Sequence, residues 1–331
     1  MYNDFLIAVD SGKSYTKYAF RNEVNVIEKG RFRTKVAEID GSIADLTAKT
    51  DIVVYNQKKF AVGDLLSEEN TNYDLTKQTE EHRLSIYLAI TKVLQKVKSP
   101  TALANIHLAI NTPLSLFKNE KLKQEYSQFI QQKGNVIGIE VNNRPYSFRI
   151  ASIYVLPEAI GPTYSNPKDF KGRRILVCDF GSLNVSFLEI NNLIPVYDNL
   201  TTSTLGINIL RSKISESLTT NYGIAFNDDD IEQILKDKYV VIDGKKQEGS
   251  NALIEQLIEE HIKKIINYAK SRKISFSNKE IILVGGGSIL LKKYLISHFP
   301  NAIILNDSQF ANVLSFLSIL EAKQHERRTK A

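Results

Sequence analysis

Residues 5–17 read Phe-Leu-Ile-Ala-Val-Asp-Ser-Gly-Lys-Ser-Tyr-Thr-Lys. The apolar run that ends at Val9 is typical of a buried strand, and Gly12 permits a tight turn from which a second strand returns at Tyr15. The tip of such a hairpin presents backbone N–H groups, hydroxyls and a lysine around Asp10. Turn amides bind anions and a carboxylate binds hydrated Mg²⁺, so the stretch predicts a phosphate and magnesium site, although an ordinary hairpin shows the same pattern.

The same pattern occurs again in the second half of the chain. Residues 174–190 read Arg-Ile-Leu-Val-Cys-Asp-Phe-Gly-Ser-Leu-Asn-Val-Ser-Phe-Leu-Glu-Ile, in which Asp179 and Gly181 repeat the Asp-x-Gly arrangement. Residues 285–288 read Gly-Gly-Gly-Ser between an apolar strand and a helix. A glycine backbone allows a ligand to approach closely, and a helix start favours an anionic group. Two such hairpins followed by this loop predict two related halves that close on one nucleotide.

Composition limits the class of protein. The chain has 331 residues, 43% of them hydrophobic and 24% charged, which is typical of a globular protein with two domains. The formal net charge of +6 is modest for this length, so it permits contact with nucleic acid without indicating it. The single cysteine, Cys178, lies in an apolar run, which excludes a disulfide scaffold and predicts a buried thiol rather than a nucleophile.

The cellular compartment is predicted from the first residues and from the hydropathy of the chain. The first residues lead directly into a strand, without the features of a signal peptide, and no apolar stretch reaches the length of a membrane span. We therefore expect a cytoplasmic protein that does not bind membrane.

Strands alternate with helices along both halves, which predicts mixed α/β layers. We expect a first domain over residues 1–163, completed by a C-terminal helix at about 309–331, and a second domain over residues 164–308. Two polar regions interrupt this plan. We interpret residues 30–80 as a small insertion in the first domain and residues 224–248 as an excursion in the second.

Four local elements are predicted from apolar spacing and turn residues. Two are strands, at residues 25–27 and 302–305. Two are helices, a long one over residues 114–132 and a short one over residues 157–162. The short helix would place Glu158 in its first turn, where the helix dipole favours a carboxylate.

The hairpins and the triple glycine resemble the two phosphate loops and the adenosine loop of the actin and sugar-kinase superfamily. Within it the chain most resembles bacterial plasmid-segregation actins of the ParM type. Four further stretches carry the resemblance: residues 111–117 (Asn-Thr-Pro-Leu-Ser-Leu-Phe), 155–159 (Val-Leu-Pro-Glu-Ala), 203–206 (Ser-Thr-Leu-Gly) and 306–310 (Asn-Asp-Ser-Gln-Phe). The resemblance implies an α/β, actin-like ATPase fold in which two related ribonuclease-H-like domains surround a nucleotide cleft.

The resemblance also implies a function. Such a protein forms helical filaments of its own copies, hydrolyses ATP and/or GTP, and moves replicated plasmids apart. Its partner would be a small DNA-binding adaptor on a centromere-like plasmid site, so direct sequence-specific DNA binding is not expected. The sequence leaves open whether ATP or GTP is preferred.

The resemblance assigns roles residue by residue. Asp10 and Asp179 would face each other across the cleft and hold Mg²⁺ mainly through its waters, and with Glu158 they form the predicted catalytic set. Glu158 would orient or polarise the attacking water, unless it is only a carboxylate favoured at a helix start. The predicted nucleotide-binding residues are Ser11, Gly12, Lys13, Ser14, Lys17, Gly181, Ser182, Gly206, Gly285, Gly286, Gly287, Ser288 and Phe310.

Two features depart from the family pattern. Ser182, Asn184 and Ser186 stand where relatives often carry Gly, Thr and Asp, and Lys13 is unusual in the first loop. We expect the first difference to alter the metal geometry and the second to alter nucleotide affinity or hydrolysis rate. Hairpin lysines are often only solvated, and Phe310 is equally compatible with a core position.

Three other classes of protein compete with this interpretation. A small-molecule kinase of the same superfamily needs a general base, and residues 111–117 contain no acid. A scaffold filament attached to membrane would carry a terminal amphipathic helix or an exposed hydrophobic loop, and neither is evident. A direct DNA-binding protein is suggested only by the positive charge, without a helix-turn-helix, zinc site or basic–aromatic array, so contact through an adaptor is favoured.

Overall fold

The computed structural model describes residues 3–40, 49–71, 77–97 and 103–330. The chain forms two compact units: unit 1 comprises Met1–Glu158 and Asn312–Ala331, and unit 2 comprises Ala159–Ala311. The sequence placed the domain boundary after residue 163, slightly later than the end of unit 1 at Glu158. Residues 41–48 and 72–76, which belong to the predicted insertion, lie outside the described residues.

The elements of unit 1 alternate between strands and helices. Its described strands are β1 (Asn3–Ser11), β2 (Tyr15–Arg21), β3 (Ile27–Arg33), β4 (Val36–Glu38), β5 (Thr50–Tyr55), β6 (Lys58–Gly63), β7 (Ala104–Thr112), β8 (Val136–Val141) and β9 (Arg144–Pro157). Its described helices before unit 2 are α1 (Glu80–Leu94), α2 (Leu114–Phe117) and α3 (Glu120–Gln131). Within the described ranges the strands form one nine-stranded sheet in the order β3-β2-β1-β7-β9-β8-β5-β6-β4.

The centre of this sheet consists of three parallel strands. β1 pairs in parallel with β7, and β7 pairs in parallel with β9, so that Val9, Ile110 and Val155 lie in one row. Ile7, Ala8 and Val9 are fully buried, as expected for a central strand covered on both faces. The carboxyl ends of β1, β7 and β9 therefore lie side by side at one edge of the sheet.

α1 packs against β1 and β2. Its Leu84, Tyr87 and Leu88 side chains are fully buried because apolar residues three and four positions apart share one face of a helix. The Thr79 side chain caps the helix by accepting a hydrogen bond from the His82 amide at 3.3 Å. This packing holds His82, which lies in the first turn, against the central strands.

The region predicted as an insertion contributes to the main sheet of unit 1. β5 pairs with β8, and β6 joins β5 to β4 at the edge. Asp51, Val53 and Tyr55 alternate with less buried neighbours along β5, the pattern of a strand with one covered face. The described part of residues 30–80 is thus a sheet extension rather than a separate body.

The predicted helix over residues 157–162 is wrong. β9 continues to Pro157, which pairs with Thr112 of β7, and the chain turns directly afterwards. Ala159 has a φ of 64°, a left-handed conformation that cannot continue an α-helix. Glu158 therefore follows the end of a central strand, and its interpretation as a first-turn helix residue is wrong as well.

The strand predicted at residues 25–27 begins only at Ile27. The side chain of Asn22 accepts hydrogen bonds from the amides of Val24 and Val26, at 3.2 and 2.9 Å, and so builds a turn in front of β3. Asparagine commonly makes such local bonds, which compete with strand pairing.

The helix predicted over residues 114–132 is divided into α2 and α3. Asn119 lies between them with an extended backbone, and its side chain accepts a hydrogen bond from the Leu122 amide at 3.1 Å. This is the geometry of an N-cap, so α3 starts afresh at Glu120.

Unit 2 is one continuous segment of chain. Its elements are α4 (Pro167–Phe170), β10 (Arg174–Phe180), β11 (Val185–Asn191), β12 (Ile194–Ser203), α5 (Ile207–Tyr222), α6 (Asp228–Asp237), β13 (Val241–Ile242), β14 (Lys245–Lys246), α7 (Ser250–Ser271), β15 (Glu280–Val284), α8 (Gly286–Leu290) and α9 (Lys292–His298). β12, β11, β10 and β15 form a sheet in that order. Residues 302–305 do not form the predicted strand, since Ile303 makes only an isolated parallel bridge with Ile282.

The second hairpin and the third glycine turn meet at one edge of this sheet. β10 and β11 form the predicted hairpin, in which Asp179 pairs with Ser186. β15 lies parallel to β10 with Val284 beside Asp179, so the chain enters residues 285–288 next to that carboxylate. The predicted excursion at 224–248 contains α6 and the β13–β14 hairpin, which forms a separate two-stranded sheet.

Unit 1 is completed by α10 (Ala311–Lys330), preceded by a 3-10 turn at Ser308–Phe310. Phe316 and Leu320 on this helix are fully buried, and Glu321 lies 2.8 Å from the Nε of Arg21 on β2. No helix in the described part of the chain, α10 included, is both long and apolar enough to cross a membrane.

Candidate functional site

The first hairpin places Asp10 at the carboxyl end of β1. Asp10 is 5% exposed, and its Oδ2 lies 3.0 Å from the Nζ of Lys17, its neighbour across the hairpin. Lys17, which the sequence assigns to phosphate, therefore balances the charge of Asp10. Lys13 and Ser14 lie half-buried in the turn between the strands. The hairpin thus brings the predicted first-loop residues together.

The backbone amides of the first loop are only partly available to a ligand. The Ser11 amide donates to Asn111 Oδ1 at 3.0 Å, and the Gly12 amide donates to the Tyr15 carbonyl at 3.1 Å. A Cβ on Gly12 would lie 3.0 Å from that carbonyl oxygen, so the turn has little room for a side chain. The Ser14 amide has no partner within the described residues, which leaves it as a donor for an anion.

A buried arginine holds the hydroxyl of Ser14. Arg33 is 5% exposed, and its Nη1 donates to Ser14 Oγ at 2.8 Å while its Nη2 lies 2.5 Å from Glu68 Oε1. Its guanidinium also lies 4.8 Å from the centre of the Tyr15 ring. Sequence reasoning missed Arg33 because it lies in no motif and reaches the loop only through the pairing of β2 with β3.

Glu158 lies beside the first loop. Its Oε1 accepts hydrogen bonds from Lys77 Nζ at 2.7 Å and from Asn111 Nδ2 at 3.2 Å. Its backbone amide donates to the Thr112 carbonyl at 3.1 Å, which continues the pairing of β9 with β7. The side chains of Asn111 and Lys77 also donate to the Ser11 carbonyl. Within unit 1, the same two side chains therefore contact both Glu158 and Ser11.

A chain of hydrogen bonds runs behind this loop. Ser11 Oγ lies 3.3 Å from His82 Nδ1, and His82 Nε2 lies 2.8 Å from the Tyr126 hydroxyl. The Tyr126 hydroxyl donates to the Asn111 carbonyl at 3.4 Å, so the network assigns the Nε2–H tautomer to His82, with Nδ1 accepting from Ser11. The chain connects α1 and α3 to the first loop, and neither histidine nor tyrosine was predicted.

Burial sets the ionisation of this chain. Desolvation, followed by the positive charges of Lys77 and Lys13, lowers the pKa of His82 well below its ordinary value of 6.5. Desolvation, followed by the Glu158 carboxylate, raises the pKa of Tyr126 well above 10.0. Both groups are therefore neutral near pH 7, and the network behind the loop carries no charge of its own.

The protein is expected to lose stability as the pH falls from about 7.5 to about 5.5. Desolvation lowers the pKa of His261, on α7 in unit 2, from 6.5 to about 4, and shifts that of His82 in the same direction. Below pH 6.5 the unfolded chain therefore binds more protons than the folded chain, and the free energy of unfolding decreases. His261 alone accounts for about 1 kcal/mol at a pH of about 5.5.

Urea unfolding at the two pH values measures this effect. His261→Gln should depend less on pH than the wild type, whereas His325→Gln, which changes an exposed side chain, should keep the full dependence. If the free energy of unfolding depended equally on pH in all three proteins, the assignment of this effect to His261 would be contradicted.

The second hairpin closes against the start of α5. The amides of Ile207 and Asn208 donate to the carbonyls of Gly181, at 3.1 Å, and Ser182, at 2.9 Å. A Cβ on Gly206 would lie 2.3 Å from the Ser182 carbonyl oxygen, which leaves no space for any other residue. Gly206, predicted to bind nucleotide, is buried and forms the contact between the second loop and α5.

The three glycines of the third loop differ in their surroundings. Gly285 has a φ of 84°, and a Cβ there would lie 2.5 Å from Asp179 Oδ1. A Cβ on Gly287 would lie 2.8 Å from the Ile207 side chain, whereas Gly286 is exposed and nothing lies within 4 Å of its Cβ position. Gly286 is therefore the position of this loop at which a ligand can approach the backbone.

Ser288 and Phe310 are both buried. Ser288 Oγ donates to the Gly285 carbonyl at 2.8 Å, so it shapes the third loop. Phe310 is 8% exposed, which fits the core position that the sequence left open, and its nucleotide-binding role stays a prediction. Ser182, in contrast, is half-buried, and its amide and hydroxyl have no hydrogen-bond partner in the described ranges, which leaves both as donors for an anion.

Cys178 is a buried free thiol, as predicted. Burial, together with the charge of the adjacent Asp179, raises its pKa, so the sulfur stays protonated. A nucleophilic role for this residue does not fit its surroundings.

Magnesium would bind here through few protein ligands. Among the residues that the structure describes, no group of three or more His, Cys, Asp or Glu side chains is arranged to hold a metal ion. Mg²⁺ keeps several waters and takes one or two carboxylates besides phosphate oxygens. Asp10, near the carboxyl end of β1, and Asp179, near that of β10, are each a carboxylate of the kind that Mg²⁺ takes.

Two protein families match most of the chain. The family described as actin-like proteins, N-terminal domain, matches residues 8–161. The family described as archaeal actin homologue MreB-like, C-terminal, matches residues 177–297. A search of curated proteins found no match.

Solved structures are similar over their whole length. Ta0583, an archaeal actin homologue, is 19% identical over 96% of this chain and 99% of its own, with a TM-score of 0.80, and has also been solved in complex with ADP. The Alp12 filament is 25% identical over 97% and 99% of the two chains, with a TM-score of 0.70. A 15-stranded ParM filament from Clostridium botulinum is 21% identical over 97% and 99%, with a TM-score of 0.74. The predicted α/β, actin-like fold is confirmed.

Proposed function

We propose that this chain, which belongs to the actin-like proteins, assembles into filaments in a nucleotide-dependent manner, hydrolyses ATP and/or GTP, and drives the segregation of plasmid DNA. The observation that supports hydrolysis best is the edge of the unit 1 sheet. There the ends of β1, β7 and β9 bring Asp10, Asn111 and Glu158 together, and ligands of open α/β sheets bind outside the carboxyl ends of their strands.

The residues proposed to bind nucleotide lie in the glycine and serine loops of each unit. Ser14 and Ser182 supply amides and Gly286 an accessible backbone, which suits phosphate and the close approach of a nucleotide. Asp10 and Asp179 are the proposed Mg²⁺ ligands, acting through water, and the ion would neutralise charge on the phosphates when bound. That both carboxylates serve one ion stays a prediction.

Glu158 is the proposed group that orients the attacking water. It lies beside Ser11 of the first loop, and its side chain is 28% exposed to solvent. Hydrolysis of this kind depends on positioning and electrostatics, which a carboxylate fixed at a strand end can provide.

Filament formation is supported by the neighbours that were solved as filaments, Alp12 and ParM. The proposed partners are further copies of this chain and a small DNA-binding adaptor on a centromere-like plasmid site. Heterologous, head-to-tail contacts between identical copies produce open helical filaments.

Light scattering with simultaneous phosphate release tests this function. Purified protein given Mg-ATP or Mg-GTP should scatter more light and release phosphate, and Asp10→Asn and Asp179→Asn should each abolish both signals because they remove a proposed metal ligand. Asp198→Asn, a change in β12, serves as the control and should behave as the wild type. Phosphate release without scattering would contradict the filament proposal and favour an ATPase that does not polymerise or a small-molecule kinase of the same superfamily.

A further inference from the structure

A buried lysine lies beside the proposed catalytic carboxylate. Lys77, which precedes α1, is 3% exposed. Its Nζ lies 2.7 Å from Glu158 Oε1 and 3.2 Å from the Ser11 carbonyl oxygen. No sequence motif contains Lys77, and the hydrolysis proposed above assigns it no role.

Glu158 supplies the counter-charge of this lysine. A buried ammonium group is costly unless an opposite charge and hydrogen bonds compensate its lost hydration. Within the described residues, the only carboxylate at ion-pair distance from Lys77 is that of Glu158. The neighbouring Lys13 is positive and His82 is neutral, so neither can replace it.

The pair fixes one oxygen of Glu158 and leaves the other available. Lys77 and Asn111 both donate to Oε1, at 2.7 and 3.2 Å, whereas Oε2 meets no donor among the described side chains. The Glu158 side chain is 28% exposed, so water reaches it. A carboxylate held by two donors at one oxygen keeps the second oxygen in a constant direction.

We propose that Lys77 is a positioning residue for nucleotide hydrolysis, which holds Oε1 of Glu158 so that Oε2 accepts a hydrogen bond from the attacking water. The inference rests on the proposed function. In that reaction the water oxygen bonds to the terminal phosphorus while the bond from this phosphorus to the bridging oxygen breaks. The diphosphate leaves with the electron pair, and the proton of the water passes to the released phosphate.

Steady-state phosphate release and nucleotide affinity, measured separately, test the role of Lys77. Lys77→Met should lower kcat about tenfold to a hundredfold, because small misplacement of a reacting group costs rates of this order, while the dissociation constant for nucleotide changes little. Lys77→Arg, which keeps the charge and a donor, should recover most of the rate. Lys92→Met breaks a different lysine–carboxylate pair, between Lys92 of α1 and Asp51, and should leave kcat unchanged.

The double variant Lys77→Met/Glu158→Gln separates positioning from general damage. If Lys77 acts through Glu158, the double variant is no slower than Glu158→Gln alone, since residues acting as a unit are not additive. The inference would be overturned if the rate losses of the two single variants multiplied in the double variant. It would also be overturned if Lys77→Met lost nucleotide affinity and kcat together and Lys77→Arg did not restore them. If the wild type hydrolyses nucleotide, and Glu158→Gln slows this hydrolysis but Lys77→Met does not, the inference about Lys77 is overturned and the proposed function is not. A wild type without hydrolysis would overturn the proposed function as well.

Discussion

Glu158→Gln is expected to lower phosphate release about a hundredfold or more while nucleotide-dependent assembly persists and its filaments last longer. Glutamine keeps an oxygen that can accept from Lys77 and Asn111, so the side chain stays in place. It loses the charge that polarises the attacking water. Because binding of nucleotide does not depend on that charge, only hydrolysis is slowed. The family resemblance implies that hydrolysis makes the filament unstable, so slower hydrolysis prolongs its lifetime.

Glutamine is a better replacement here than alanine. Lys77 is 3% exposed and pairs with Glu158. Both replacements remove the counter-charge of the Lys77 ammonium group, but alanine also removes the oxygen that accepts its hydrogen bond, so the buried group would lose both. Such losses cost about 3–5 kcal/mol, enough to confuse a catalytic effect with unfolding. Glu158→Gln should therefore keep a thermal midpoint closer to that of the wild type than Glu158→Ala does.

The measurement is phosphate release and scattering decay from one sample, with Glu140→Gln on β8 as the control for a lost carboxylate. The control should show the wild-type rate and filament lifetime. If Glu158→Gln releases phosphate at the rate of the control and its filaments decay as fast, Glu158 has no role in the hydrolytic step.

Gly206→Ala is expected to destabilise unit 2 by about 3 kcal/mol, a lowering of the thermal midpoint by about 5 to 10 °C, and to weaken nucleotide binding. The new Cβ would lie 2.3 Å from the carbonyl oxygen of Ser182 and 2.3 Å from the carbonyl carbon of Leu183. Both are backbone atoms, so no side-chain rotation can relieve the overlap. The second loop must move away from α5, which breaks the hydrogen bonds from Ile207 and Asn208.

Two glycines serve as controls because nothing lies within 4 Å of their Cβ positions. Gly138→Ala, in β8, should leave stability and binding nearly unchanged. Gly286→Ala should keep stability but reduce nucleotide affinity, if a ligand approaches that backbone. Thermal unfolding combined with titration of a fluorescent nucleotide distinguishes these cases. A Gly206→Ala protein as stable as Gly138→Ala would show that the second loop is not held against α5.

Both Asp-x-Gly hairpins were predictable because the information is local. An apolar strand, an acid and a glycine turn lie within a dozen residues, and β1–β2 and β10–β11 pair as the sequence indicates. The helix predicted at Pro157 failed because pairing with Thr112 extends β9, a contact between residues far apart in the chain. Periodicity in a short window does not detect such a tertiary contact.

The candidate site was predictable only in part, for the same reason. The loop residues belong to motifs, whereas Lys77 and His82 reach Ser11 because α1 packs on the central strands. A lysine before a helix and a histidine on its buried face are unremarkable in sequence. His82 does lie close to the apolar positions of α1, and that is the one signal that marks it as buried.

Unit 2 is an uninterrupted segment, whereas unit 1 is assembled from two segments that flank it. In translation the residues of unit 2 leave the ribosome before those of α10. Domains generally fold as units during synthesis, so unit 2 can finish folding while the sheet of unit 1 still lacks the helix that buries Phe316 and pairs Glu321 with Arg21. Unit 1, whose synthesis begins first, is thus the second unit to be completed.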